Sequence, residues 1–312
     1  MTNRLVSTHA MFADALAGRY AIGAFNVNNM EILQAVVDAA EQSRSPLIVQ
    51  ASESAIKYAR TPWLLKMIEA ALETTTIPIA LHLDHGGAPE ICKTCIDAGF
   101  SSVMIDASGY PFEENVAMVR EVVNYAKPRG ISVEAELGKL AGVEDSVNVS
   151  AKDATYTNAE EAAIFVERTG CDSLAIAIGT SHGAYKFKGD AQLDFERLAE
   201  IRAAIGADFP LVLHGASSVP EELVMLANRY GANLPDAKGV PASMLSQATK
   251  NGIAKVNMDT DLRLAMTASI RKVFAEKPSE FDPRKYMGPG RDAITDLVKT
   301  KMKLLGSANS IA

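Results

Sequence analysis

Short, continuous apolar runs alternate along the chain with longer segments in which apolar residues recur at helical spacing. Strands that are buried on both faces are apolar throughout, so the short runs predict strands of a parallel sheet. The longer segments predict the helices that connect one parallel strand to the next. The predicted strands cover residues 20–26, 46–51, 77–83, 102–105, 131–137, 173–179, 210–213 and 252–257.

The repeated strand and helix units predict an α/β fold, a single (β/α)8 TIM barrel that spans residues 1–312 as one domain. Polar residues suited to chemistry stand at or near the carboxyl ends of these strands, where barrel enzymes build their sites. An open, doubly wound sheet is the alternative, but it would gather its site at one switch point. The polar residues are Asn26, Ser52, Asp84, His85, Asp106, Glu136, His182, His214, Asn257 and Asp259.

Two intervals between the predicted elements are longer than ordinary connecting loops. Residues 138–157 are polar and begin with glycine, which favours a mobile lid over the alternative of a plain surface excursion. Residues 179–194 carry Lys186 behind His182 and Gly183. A cation and glycine amides beside a metal-ligand candidate suggest a seat for a phosphate group.

The charge and composition of the chain exclude several classes of partner. The net charge of −7 argues against a general electrostatic hold on nucleic acid. The apolar runs are far shorter than the roughly 20 residues of a membrane helix, and no secretory signal opens the chain. The cysteines predict free thiols in a reducing cytoplasm. Cys92 and Cys95 have the spacing of a redox pair or of half a zinc site, but they lie in a predicted helix and core packing is the favoured interpretation.

Three of the five histidines stand just after predicted strands, and each is followed by glycine: His85, His182 and His214. A single histidine at a strand end is more often a hydrogen-bonded core residue than a metal ligand. Three imidazoles on separate strands, however, suit a divalent metal and leave one coordination position open for substrate, as catalytic zinc requires. The set therefore predicts a shared metal site.

The loops after the last two predicted strands are candidates for phosphate binding. They contain Gly215-Ala216-Ser217-Ser218 and Asn257-Met258-Asp259-Thr260, and in barrels these two loops often form a phosphate site. Gly288-Pro289-Gly290-Arg291 follows no predicted strand and is interpreted as a turn.

Five motifs together resemble the class II, metal-dependent fructose-bisphosphate aldolases, in the subgroup with shorter chains. The resemblance implies a (β/α)8 barrel that reversibly cleaves fructose 1,6-bisphosphate into dihydroxyacetone phosphate and glyceraldehyde 3-phosphate in glycolysis and gluconeogenesis. It also implies zinc, a second divalent or a monovalent cation, and a homo-dimer or homo-tetramer. The motifs are Leu83-Asp84-His85, Glu134-Ala135-Glu136-Leu137-Gly138, Gly179-Thr180-Ser181-His182-Gly183, Leu213-His214-Gly215 and Lys255-Val256-Asn257-Met258-Asp259-Thr260-Asp261.

By the same resemblance, the zinc ligands are His85, His182 and His214. Asp106 and Glu136 match positions of a second or alternate metal location. Zinc chelated by the substrate carbonyl would stabilise the enediolate that forms when the bond between C3 and C4 breaks, so the reaction needs no lysine Schiff base.

The resemblance also implies catalytic and binding roles. Asp84 would take the proton of the C4 hydroxyl, and Glu144 in the predicted lid would return a proton to the enediolate carbon. Arg263 matches a phosphate ligand of the shorter chains, and Asp259 would contact a sugar hydroxyl. The remaining phosphate-binding and substrate-binding positions are Asn26, Ser52, Gly183, Lys186, Gly215, Ser217, Asn257 and Thr260.

Three other functions compete with this interpretation. An aldolase of the same fold could act on tagatose bisphosphate or a related ketose bisphosphate, and cleavage of the two C4 epimers separates these cases. A zinc hydrolase would also use three histidines and an aspartate, but it would not need two phosphate seats. A barrel that only binds would have no use for Asp84 and Glu144 beside a complete set of metal ligands.

Overall fold

A computed structural model describes residues 5–144, 147–150, 152, 154–183 and 192–311. Within these ranges, eight parallel strands close a barrel, which confirms the predicted α/β barrel. The strands of the structure are β1 (Ile22–Asn26), β2 (Leu47–Ser52), β3 (Ile79–Gly86), β4 (Ser102–Ile105), β5 (Ser132–Leu137), β6 (Ala141–Glu144), β7 (Val147–Val149), β8 (Ser173–Ile176), β9 (Ser181–His182), β10 (Leu211–Leu213) and β11 (Ile253–Met258). Around the barrel the order is β1, β11, β10, β8, β5, β4, β3, β2, and back to β1.

Helices surround the barrel and begin where local sequence favours them. At α2, for example, the Asn29 side chain accepts a hydrogen bond from the Ile32 amide at 2.9 Å and so caps the first turn. The helices are α1 (Thr8–Gly18), α2 (Met30–Ser43), α3 (Glu53–Ala59), α4 (Thr61–Thr74), α5 (Pro89–Ala98), α6 (Phe112–Ala126), α7 (Ala159–Thr169), α8 (Phe195–Ile205), α9 (Glu221–Arg229), α10 (Ala242–Lys250), α11 (Thr260–Glu276) and α12 (Pro283–Leu304).

Helix α1 covers the end of the barrel at which the strands begin. Its buried residues Met11 and Phe12 pack against Ile22, Ile48 and Ala80, which lie near the amino ends of β1, β2 and β3. The opposite end, where the strands finish, is therefore the end at which polar side chains can meet a ligand. Parallel pairing keeps these strand ends level, and Ser52 of β2 lies directly beside Asp84 of β3.

The predicted turn at residues 288–291 is wrong, because these residues lie inside α12. Proline and paired glycines normally interrupt a helix, but here the glycine has a packing role. Gly290 is buried, and a Cβ atom at this position would lie 2.3 Å from the Met266 sulfur of α11. A side chain at this position would therefore force Met266 to move, and glycine lets α11 and α12 pack without that change.

The interval predicted as a lid contains two strands in its described part. β6 pairs antiparallel with β7, and β6 also pairs with β9, where Gly142 lies opposite His182. The Ser181 hydroxyl adds a hydrogen bond to the Ala141 carbonyl at 2.8 Å. The first part of this interval is thus hydrogen-bonded to the strand that carries a predicted metal ligand. Its mobility stays a prediction.

The cysteines agree with the predicted role in core packing. Cys92, Cys95 and Cys171 are buried and not joined in disulfides. Burial raises the pKa of the Cys95 thiol to about 12, as expected for a packing residue rather than a reactive one. Across the described ranges, we find no helix with both the length and the apolar character needed to cross a membrane.

Candidate active site

The three predicted metal ligands meet at the carboxyl end of the barrel. His85 lies near the end of β3, His182 ends β9, and His214 directly follows β10. The ring of His85 is 5.1 Å from that of His182 and 4.6 Å from that of His214, measured between centroids. All three side chains are buried. Strands far apart in sequence thus bring the histidines to one place, as their repeated position predicts.

His85 reaches this position through an unusual backbone conformation. Its φ angle is 49°, in the left-handed region that residues other than glycine seldom adopt. The pairing register between β3 and β4 shifts between Leu83 and Gly86, so the strand is irregular at the histidine. Such strain concentrates at functional sites because it redirects a side chain. Here it lets consecutive residues, Asp84 and His85, both reach the site.

Two of the imidazoles face each other, and each ring has a carboxylate behind it. His85 Nε2 and His214 Nδ1 are 2.9 Å apart. The other nitrogen of each ring lies 2.8 Å from a carboxylate, Asp106 for His85 and Glu134 for His214. Because an ionised carboxylate only accepts hydrogen bonds, each ring carries a proton on that side. When the rings are neutral, the facing nitrogens are available to a metal ion, and the carboxylates support the rings from behind.

The acidic residues near the histidines also fit a cation. Within the described residues, Glu136 Oε2 is buried without a hydrogen-bond partner and lies 3.7 Å from His214 Nδ1. Burial and the neighbouring Asp106 raise the pKa of Glu136 well above its ordinary value. Ligand atoms of His85, Asp106 and Glu136 lie within 4.8 Å of one another, and so do those of Asp84, His85 and His214. Nitrogen and carboxylate donors in this arrangement fit a divalent metal ion.

Buried side-chain amides hold the carboxylate of Asp84. Its Oδ2 accepts from Asn26 Nδ2 at 2.8 Å and from Gln50 Nε2 at 3.2 Å, and its Oδ1 accepts from Asn257 Nδ2 at 3.1 Å. Gln50 also donates to Asn26 Oδ1 at 2.6 Å. Neutral donors orient a carboxylate without supplying a positive charge. The sequence analysis did not identify Gln50, although a glutamine inside an apolar strand was a usable signal.

An ion pair deeper in the barrel supports His214, and the sequence analysis assigned it no role. Lys255 Nζ lies 2.8 Å from Glu134 Oε2, and both side chains are buried. Burial opposes ionisation of Glu134, but Lys255 and the hydrogen bond from His214 hold its pKa well below the ordinary value. Lys255 also lies 3.2 Å from His82, and burial together with this cation lowers the pKa of His82. We call Glu134 and Lys255 the inner ion pair.

The predicted phosphate loops lie next to each other. Gly215 has a φ of 58°, and a Cβ atom there would lie 2.6 Å from the Ser181 carbonyl oxygen, so this turn requires glycine. The Ser217 hydroxyl accepts from the Asp259 amide at 3.3 Å, which joins the loop after β10 to the start of α11. Thr260 is the first residue of that helix.

Asp259 and Arg263 contact each other in this structure. Arg263 Nε and Nη2 lie 2.8 Å and 2.5 Å from the two carboxylate oxygens of Asp259, the residue just before α11. Asp259 is buried, whereas the side chain of Arg263 is 48% exposed. The guanidinium therefore lies at the rim, and its roles in phosphate binding and in sugar recognition through Asp259 stay predictions.

The remaining predicted residues are placed only in part. The Ser52 hydroxyl accepts from the Ala55 amide at 3.3 Å and so caps α3 beside Asp84. Gly183 follows β9 directly. Glu144 ends β6, and Lys186 lies outside the described residues.

Comparisons with known proteins agree with this geometry. Residues 6–310 match the family described as fructose-bisphosphate aldolase class-II. The chain is 51% identical to fructose-bisphosphate aldolase of Giardia intestinalis, with 97% of this chain and 94% of that protein covered. It is 50% identical to the enzyme of the same name from Thermus caldophilus, with 97% and 98% covered.

A solved structure extends the likeness to three dimensions. The YdjI aldolase from Escherichia coli K12 matches with a TM-score of 0.79 and 32% identity, over 99% of this chain and all of that one. Identity near one half over almost the whole length of both chains shows common descent. The chain therefore belongs to the class II fructose-bisphosphate aldolases, a family of metal-dependent carbon–carbon lyases.

Proposed function

We propose that the chain reversibly cleaves fructose 1,6-bisphosphate into dihydroxyacetone phosphate and glyceraldehyde 3-phosphate, with zinc held by His85, His182 and His214. Zinc bound there would supply a positive charge for the substrate carbonyl oxygen as negative charge develops on it. The support is the pair of imidazole nitrogens that face each other at 2.9 Å, each ring anchored by a carboxylate. Asp106 and Glu136 would offer a second or alternate position for a cation.

Asp84 is the proposed base for bond cleavage. It would take the proton of the C4 hydroxyl, the bond between C3 and C4 would break, and its electron pair would remain on C3 as an enediolate. The amides of Asn26, Gln50 and Asn257 keep the carboxylate fixed without neutralising it. A base fixed in this way loses little entropy when the substrate arrives.

Glu144 is the proposed acid that returns a proton to C3. It ends β6, which pairs with the strand of His182, so movement of this segment would bring an acid to the site and exclude water. Glu144→Gln should abolish exchange of the labelled hydrogen on the hydroxymethyl carbon of dihydroxyacetone phosphate, which corresponds to C3 of the bisphosphate, while substrate still binds. Normal detritiation by this variant would remove Glu144 from the mechanism.

Phosphate binding is proposed for the two neighbouring loops and the glycine after β9. Asn26 and Ser52 are proposed substrate contacts, and Asp259 and Arg263 are proposed to recognise a sugar hydroxyl and the far phosphate. The supporting observation is the hydrogen bond from the amide of Asp259, just before α11, to the Ser217 hydroxyl. It holds the loop after β10 at the amino end of a helix, and helix amino ends attract anions. The proposed phosphate contacts are Gly183, Lys186, Gly215, Ser217, Asn257 and Thr260.

Cleavage assays with and without a chelator test the function directly. The zinc-loaded protein should cleave fructose 1,6-bisphosphate and lose activity when the metal is removed and regain it with zinc. Tagatose 1,6-bisphosphate, the C4 epimer, is the matched control substrate. Faster cleavage of tagatose 1,6-bisphosphate would replace the fructose assignment by the tagatose one, and chelator-resistant cleavage would refute the metal mechanism.

Assembly and location extend this proposal. We infer a homo-dimer or homo-tetramer, one catalytic domain over residues 1–312, a phosphorylated sugar as the partner, a cytoplasmic location and assistance from a second divalent or monovalent cation. These inferences follow from family membership. Sedimentation experiments test the oligomeric state, and cation titrations test the role of the additional cation.

A further inference from the structure

A second buried ion pair lies outside the barrel, behind the loop that follows β10. Lys301 of α12 places its Nζ 2.6 Å from Asp261 Oδ2, and the two side chains are 5% and 0% exposed. The same ammonium group contacts the Ser218 hydroxyl. We call Asp261 and Lys301 the outer ion pair. Buried charges of this kind are costly unless paired, so a position that retains them calls for an explanation.

Asp261 binds the backbone of the loop through both carboxylate oxygens. Oδ2 accepts from the Ser218 amide at 3.0 Å and from the Ser218 hydroxyl at 3.3 Å. Oδ1 accepts from the Val219 amide at 2.7 Å. Hydrogen bonds from two consecutive amides to one carboxylate fix the orientation of the peptide planes between them.

The loop needs such support because its conformation is strained. Val219 has a φ of 47°, in the left-handed region, where a β-branched residue is a rare outlier. A strained residue persists only where surrounding contacts determine its conformation. The hydrogen bond from the Val219 amide to Asp261 is one such contact, and the packing that leaves Val219 only 4% exposed is another.

The neighbouring residue Ser217 is held from the other side. Its carbonyl accepts from the Val240 amide at 3.1 Å, and its hydroxyl accepts from the Asp259 amide at 3.3 Å. The outer ion pair therefore supports the downstream half of a turn that begins at Gly215. Among the described residues of α12, Lys301 is the one buried lysine.

We propose that Asp261 and Lys301 are positioning residues for phosphate: through Ser218 and Val219 they fix the turn from Gly215 to Ser217 in the shape that binds a phosphate group. This inference rests on the proposed function of that turn. Lys301 acts through the loop, since its ammonium group is buried and already occupied by Asp261 and Ser218. Lys301 also neutralises Asp261, whose charge would otherwise repel a phosphate near the start of α11.

Lys301→Met in the full-length, zinc-loaded protein tests this inference. Inorganic phosphate is the probe, measured by titration calorimetry and as a competitive inhibitor of cleavage. The variant should bind phosphate at least about tenfold more weakly, because the loop loses its charged support. KM for the bisphosphate should rise while kcat changes by less than about threefold. Hydrogen exchange of the peptide that spans residues 214–223 should become faster.

Two matched variants give the controls. Lys303→Met makes the same charge change on the exposed face of α12 and should leave phosphate affinity unchanged. Lys301→Arg keeps a cation and should retain most of the affinity. A merely structural lysine would instead lower the melting temperature without changing phosphate affinity, and that result would overturn the proposal.

If Lys301→Met does not fold, a double variant tests the inference instead. Asp261→Asn combined with Lys301→Met removes both buried charges and should fold, yet bind phosphate weakly; wild-type affinity in it would also overturn the inference. The calorimetric measurement needs no catalysis. Loss of phosphate binding in Lys301→Met thus supports the inference even when wild-type protein cleaves neither bisphosphate, a result that would refute only the proposed function.

Discussion

The inner and outer ion pairs have the same chemistry but support different parts of the site. Each joins a carboxylate to a lysine with both groups buried, Glu134 to Lys255 inside the barrel and Asp261 to Lys301 outside it. The inner carboxylate accepts a hydrogen bond from an imidazole side chain, that of His214. The outer carboxylate accepts hydrogen bonds from backbone amides. One pair therefore orients a proposed metal ligand, and the other orients a loop.

This difference separates the effects expected from mutation. Damage on the inner side should appear in metal affinity and in the rate of chemistry, because the groups oriented there are the proposed contacts of the reacting atoms. Damage on the outer side should appear in phosphate affinity and KM, because the loop is the proposed seat of a phosphate group that does not react. Changes on the two sides should also combine additively, since they share no residue.

Removal of an imidazole on the inner side should have the largest effect. We expect His214→Ala to lose zinc and all measurable cleavage while the circular dichroism spectrum stays that of a folded barrel. His85→Ala and His182→Ala should behave alike. Zinc content by mass spectrometry and the cleavage assay measure this, and His9→Ala, on the surface, is the control. Full activity of zinc-free His214→Ala protein would refute the metal site.

Asp84→Ala should separate chemistry from metal binding. The variant should lose about two to four orders of magnitude in turnover, the range of general acid and base groups. Zinc should remain, because the three imidazoles remain. Turnover per bound zinc is the deciding quantity. If the zinc content falls and the metal-loaded fraction turns over normally, Asp84 supports the metal instead of acting as the base. Its ligand atom lies within 4.8 Å of those of His85 and His214, which would explain that result.

The sequence predicted the barrel and the meeting of the three histidines because both depend on local patterns. Buried parallel strands are apolar along their length, and glycine follows each histidine just past a strand. Parallel strands end at the same side of a barrel, so this pattern was enough to predict that the histidines meet. Helix α12 was different. Gly288 and Pro289 favour a turn locally, but packing of Gly290 on Met266 outweighs that preference.

The supporting residues were harder to predict because they depend on contacts between distant elements. Nothing near Lys301 in sequence indicates that its ammonium group reaches Asp261. Glu134 had a weak signal, since it alternates with Glu136 on β5 and so points to the same face. Residue patterns therefore identify groups that perform chemistry better than they identify the groups that hold them in place.

Glu134→Gln should weaken zinc binding without removing a ligand. The amide still offers an acceptor to His214 but carries no charge, and loss of such support lowers metal affinity by about 10- to 100-fold. Lys255 would then be buried without its counter-ion, which costs about 3–5 kcal/mol of unfolding free energy. Urea unfolding and competition with a zinc chelator measure the two effects.

Combining Glu134→Gln with Lys255→Met separates these effects. Stability should return close to wild type, because no unpaired charge remains, while zinc affinity should stay low. If the double variant regains wild-type zinc affinity, the charge of Glu134 does not tune His214, and the inner ion pair would then serve stability alone.

The smallest effect is expected at the rim on the outer side, where Arg263 contacts Asp259. A charge-assisted contact to phosphate contributes about 1.5–3 kcal/mol. Because the side chain of Arg263 is about half exposed, we expect the lower end of this range. Arg263→Ala should therefore raise KM for the bisphosphate about tenfold and change KM for a monophosphate little.

Asp259→Ala should reduce the preference for the fructose epimer over the tagatose epimer, because the carboxylate that favours one C4 configuration is then missing. Steady-state kinetics with the two epimers and with fructose 1-phosphate provide these ratios. If Asp259 and Arg263 serve only to pair with each other, both variants should lose stability alike and leave both ratios unchanged, and the substrate assignment would fall while the aldolase assignment would stand.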